Sequence, residues 1–78
     1  MNGADLLAEL RLPGAHPHKA KLAAICDKVF PELGERAGWY VVGILGQIDD
    51  VLKGAPTPWL SRAERLRIED TAKEMPDG

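Results

Sequence analysis

The chain has one cysteine, Cys26, and a lone cysteine excludes an internal disulfide. No set of Cys and His residues falls at the spacing of a structural zinc site. No unbroken apolar run, Trp39 to Val42 included, is long enough to cross a bilayer. The opening residues, MNGADLLAELRLPG, lack a basic lead-in and carry Asp5 and Glu9 among their apolar positions, so they are not expected to be a signal peptide. There is no HExxH, no glycine-rich loop after a strand and no serine in a nucleophile elbow, so no enzyme is expected. No charged block exists either: 12 acidic and 10 basic residues are interspersed and sum to −2. Nothing in that distribution supplies the positive field that drives phosphate binding. A soluble, cytoplasmic protein without cofactor, metal or small-molecule substrate is the expectation.

These absences bear on stability. A chain of 78 residues is one small domain, and at this size only about 60% of the unfolded surface is buried. With disulfide and zinc excluded, tight packing or a second subunit must stabilise it.

The strongest positive signal lies in residues 37–53, AGWYVVGILGQIDDVLK. At 100° per residue, Tyr40, Val51, Ile44, Ala37, Ile48, Val41, Leu52 and Leu45 fill one arc of roughly 140°, enough to face a core. Alternation with period two fits poorly, so the segment reads as a helix. The opposite arc holds Gly38, Trp39, Val42, Gly43, Gly46, Gln47, Asp49, Asp50 and Lys53. A glycine inside a helix costs about 0.8–1 kcal/mol relative to alanine, and this arc accepts that cost at Gly43 and again at Gly46. Trp39, Gly43, Gly46 and Asp50 follow the spacing i, i+4, i+7, i+11 and form one strip. A strip without side chains beside an indole suits close approach by another backbone. The plain expectation is that the second or the last helix of the same chain fills it; a partner or a second copy is the alternative.

Around this helix the chain reads as all-α, a compact bundle of three to four short helices near residues 4–12, 17–29, 37–53 and 58–74, with the third central. Asn2 or Asp5 caps the first, and Pro13-Gly14 ends it. Pro17 suits the first position of the second helix, whose inner face is His18, Leu22, Ile25, Cys26, Val29 and Phe30. Phe30 precedes Pro31 and is pushed out of helical geometry, which leaves PELGER as a connector with one helical turn at most. Gly54 ends the central helix. The last helix starts either at Thr57-Pro58 or at Ser61, which forms a capping-box pattern with Glu64, and it stops at Pro76. Its apolar residues point two ways: Leu60, Ile68, Thr71 and Met75 in one direction, Trp59, Ala63 and Leu66 in another.

Chemistry elsewhere is thin. His16, His18 and Cys26 make a fragment of a metal site at best, and a cysteine on an apolar face is inert. Asp49 and Asp50 diverge by 100° on a helix and do not converge on one cation. Arg62, Arg65 and Arg67 follow a turn between two helices, an outline shared with helix–turn–helix DNA readers, yet Glu64, Glu69 and Asp70 dilute them and two prolines occupy the turn. The format is similar to that of small adaptor and inhibitor proteins, including those phages direct at host machinery; this likeness covers no motif.

The expected function is a non-catalytic protein-binding module, a regulator or inhibitor whose partner is another protein or a second copy. Its contact centres on Trp39, Val42, Gly43, Gly46 and Asp50, joined by Trp59, Arg62 and Arg65, since tryptophan and arginine dominate binding energy at interfaces. The alternatives are a DNA-binding regulator using Arg62 and Arg65, or a small subunit of a larger assembly. A titration with duplex DNA at low salt separates the first two. DNA binding requires affinity that falls steeply as salt rises; the module reading expects no binding even at low salt.

Overall fold

Local capping places most helix boundaries. The computed structural model describes residues 1–75. Helix α1 spans Gly3–Leu10, and the Asn2 side chain accepts from the backbone N–H of Asp5, so Asn2 is the cap. Helix α2 spans Pro17–Val29; Nδ1 of His16 accepts from the N–H of His18, and Pro17 occupies the first turn, where its missing N–H goes unneeded. Phe30 leaves the helix with φ −127° and ψ 64°, as a residue before proline must. A short 3-10 turn, Pro31–Glu35, follows.

Helix α3, Gly38–Lys53, has no side-chain cap at its start. The beginning of the chain supplies the acceptor instead. Met1 O accepts from Gly38 N–H at 3.1 Å, and Gly3 N–H donates to Arg36 O at 2.6 Å, so Asn2 and Ala37 form an isolated antiparallel bridge. Gly3 is buried in this crossing, where a Cβ would overlap the Leu33 carbonyl oxygen and crowd a Val41 methyl. The far end of α3 closes on Gly54 at φ +75°, with Gly54 N–H on Val51 O and Ala55 N–H on Asp50 O, the Schellman pattern that glycine favours.

Helix α4 spans Arg62–Glu74 and begins at the later of the two candidate starts. Ser61 Oγ accepts from Glu64 N–H while Glu64 Oε1 accepts from Ser61 N–H. This reciprocal box satisfies two orphan donors. Residues 58–60 therefore remain a separate turn, closed by Leu60 N–H on Thr57 O, rather than the first turn of the helix expected from position 58. Met75 caps the end of α4, and the expected stop at Pro76 lies outside the described residues.

The four α-helices enclose one core, and no strand occurs among the described residues. Ile25, Cys26, Val41, Ile48 and Ile68 are free of solvent. Helix α2 packs against α1, the 3-10 turn, α3 and α4, whereas α3 packs against α1, α2 and α4. The centre is thus shared between α2 and α3. The core stripe of α3 is narrower than its apolar arc: Val41, Leu45, Ile48 and Val51 are buried, Ile44 and Leu52 half-buried, and Tyr40 exposed. His18, expected on the inner face of α2, lies outside and meets Asp49 of α3 at 2.7 Å. Among the described residues no helix is long and apolar enough to cross a membrane.

The glycines of this fold separate by what surrounds them. Gly3→Ala is expected to cost about 1–3 kcal/mol through overpacking. Gly46→Ala in dilute solution is expected to gain up to about 1 kcal/mol from helix propensity, because a Cβ there meets nothing. Urea denaturation of the two variants checks both signs.

Candidate functional site

The outer face of α3 stays uncovered. A Cβ built on Gly43 or on Gly46 finds no atom within 4 Å, so neither α2 nor α4 fills the glycine strip. The expectation that the chain itself would fill it is overturned. The physical reason is directional: α2 and α4 pack around the Val41–Ile48 stripe, and the glycines lie on the other side of the helix.

Two indoles flank this bare helix surface. Trp39 is 79% exposed and Trp59 82%, and Val42, elsewhere on the outer side of α3, is 55% exposed. Side chains of this kind are normally the ones a chain withdraws from water. Trp39, Tyr40, Gly43, Ile44, Gln47 and Trp59 together line an open groove of about 390 Å³. Its aromatic end is ordered by its neighbours. The Trp39 and Tyr40 rings meet edge to face at 6.0 Å and 78°, and the Arg36 guanidinium lies 5.6 Å from the Tyr40 ring centre. These contacts hold Tyr40 at the rim, which accounts for its exposure.

Trp59 owes its position to the chain on either side of it. Thr57 is buried and Leu60 packs on the core, so the segment is anchored at both ends. Arg65 fixes the first anchor: Nη1 donates to Ala55 O at 3.0 Å and to Thr57 Oγ1 at 2.6 Å. Between two inward residues, Trp59 points out. Arg65 is thus engaged in holding the turn that presents Trp59, while Arg62 is exposed.

One polar atom lies at the groove without a partner. Oε1 of Gln47 is buried and accepts no hydrogen bond, an arrangement that generally costs about 1–3 kcal/mol. Tyr40, Ile44 and Gln47 were absent from the residues expected at the site. Gln47 and Tyr40 sit on the wheel beside Gly43, and that adjacency was the available signal. The structure brings Trp39, Gly43 and Trp59 to one groove; Val42 and Gly46 are exposed and Asp50 half-buried on the outer side of the same helix.

Asp49 accepts from Lys53 at 2.8 Å as well as meeting His18, and these two hydrogen bonds, Lys53 first, hold its carboxyl below the usual range. The same contact raises Lys53. Cys26 is solvent-free, and burial, aided by Asp27 and Glu32, pushes its thiol up to about 11. Among the described residues no three His, Cys, Asp or Glu side chains converge as metal ligands would. A second cleft, about 510 Å³, lies between the end of α3 and α4 with Lys53 and Lys73 among its lining, and it contains no aromatic side chain.

Comparison with known protein families, with curated proteins and with solved structures finds no match for this chain.

Removing the Arg65 anchor is expected to free Trp59. Arg65→Ala leaves the Ala55 carbonyl and the Thr57 hydroxyl without their donor, at a cost of about 1–3 kcal/mol. In a Trp39→Phe background, the fluorescence anisotropy of Trp59 should fall while helical circular dichroism persists.

Proposed function

We propose that this chain is a non-catalytic protein-binding module, a regulator or inhibitor that works in the cytoplasm by occupying a protein surface with the outer face of α3. One observation carries the reading: a glycine-floored groove stands open between two tryptophans that are each about four-fifths exposed. Exposed apolar patches of this kind mark interaction sites, and tryptophan is prominent among the residues that dominate interface energy. Shape supports a macromolecule over a small ligand. The groove is open along α3, so a small molecule in it would remain largely in water, whereas a helix or loop would cover both indoles and the bare backbone together.

The DNA-binding alternative loses support from Arg65, whose guanidinium is spent on Ala55 and Thr57. A base-reading pair of Arg62 and Arg65 would first have to break that anchor.

The experiment is affinity capture from the native cell with wild-type chain, Trp39→Ala and Trp59→Ala, and with Leu12→Ala as a control at an exposed leucine away from α3. Both tryptophan variants are expected to keep wild-type circular dichroism and melting temperature, since neither side chain is in the core. Each should reduce recovery of the captured protein about tenfold or more, a loss typical of interface anchors, while Leu12→Ala matches wild type. Undiminished capture by both tryptophan variants would remove the site assignment.

A further inference from the structure

The outer strip of α3 has an internal symmetry that selects one occupant. Lay a second α3 antiparallel on the first, with a two-fold axis passing between Ile44 and Leu45. Gly43 then falls opposite the partner's Gly46, and the same register sets Trp39 opposite the partner's Asp50. Each pairing occurs twice, as a self-complementary interface demands. We propose that the outer face of α3 is a homodimer interface in which the two glycine pairs meet at the crossing and each Trp39 indole closes on Asp50 of the other copy. The inference rests on the reading of this face as a protein-docking surface and names its occupant.

Three observations support a second copy. Gly43 and Gly46 are open to solvent, so two α3 backbones can approach to the short end of the usual 8–10 Å helix separation. The end contacts match chemically: an indole N–H needs an acceptor once it is covered, and Asp50 is a half-exposed carboxylate at the matching position. The area is sufficient as well. At 150–250 Å² per aromatic side chain, the exposed parts of Trp39, Tyr40, Val42 and Trp59 amount to roughly 500 Å² per molecule. Twice that reaches the roughly 1,000 Å² expected of a specific interface. Trp59 borders the same groove as Gly43 and Gln47, close to the proposed axis. Because this two-fold keeps each flank of the pair on its own side, the two Trp59 rings lie on one flank and the two Val42 side chains on the other.

The purified 78-residue chain is the probe for its own dimerisation. Sedimentation equilibrium from micromolar to millimolar concentration should show a reversible monomer–dimer equilibrium. Gly46→Gln should weaken it about tenfold or more without lowering the melting temperature of the dilute protein, because the new side chain enters open space on the monomer. Isotope-filtered NMR on a mixture of labelled and unlabelled chains should show the Trp39 ring against Gly46 and Asp50 of the other copy. A species that stays monomeric at millimolar concentration overturns the proposal. So does a dimer whose Trp39 contacts fall elsewhere, or one indifferent to Gly46→Gln. Such a failure leaves the broader reading to the capture experiment, where the Trp39 and Trp59 variants report on a different protein. A dimer with the predicted contacts, and no foreign protein captured, would identify the second copy as the occupant.

Discussion

Everything in the molecule depends on one dry core, to which α2 contributes Ile25, α3 Val41 and Ile48, and α4 Ile68. A chain of this length has few such residues, and with no disulfide to assist, each must be placed well. That demand fixes the rotation of α3 about its own axis. Once Val41, Leu45, Ile48 and Val51 point inward, Trp39, Val42, Gly43 and Gly46 have no choice but to point outward. The uncovered face is thus a geometric consequence of the core, and its composition is what makes it a candidate for docking.

The devices at the two ends of α3 serve the same face. At its start, the Met1 carbonyl receives the Gly38 N–H and Gly3 yields the space in which the two segments cross. This ties down the turn from which Trp39 departs. At its other end Gly54 reverses the chain, and the Arg65 hydrogen bonds to Ala55 and Thr57 hold the returning segment so that Trp59 comes to the groove. The groove is therefore bounded by residues twenty positions apart whose placement is local at each end. Preorganised anchors of this sort lose less conformational freedom on binding than mobile ones.

Much of the fold was legible because capping and periodicity act over a few residues. Asn2, His16-Pro17, Phe30-Pro31, Gly54 and the Ser61–Glu64 box each perform the local task their chemistry suggests. The choice between Thr57 and Ser61 as the start of α4 was open in the sequence, since both present acceptable caps. It was settled by tertiary contacts, with Thr57 buried under Arg65 and its hydroxyl already taken. His18 was misplaced for a similar reason: its position on the wheel borders the apolar face of α2, but Asp49 on a neighbouring helix draws it to the surface. Tyr40, at the edge of its arc, was drawn outward by Arg36 and Trp39.

By itself the sequence determined an all-helical chain with one apolar stripe on α3 and a glycine strip behind it, because side-chain direction on a helix follows from residue spacing alone. Only the tertiary structure decided that the strip stays open, that Trp59 joins it and that Arg65 turns inward. Those outcomes depend on where separate helices stop and how they cross, and the packing of distant residues controls both.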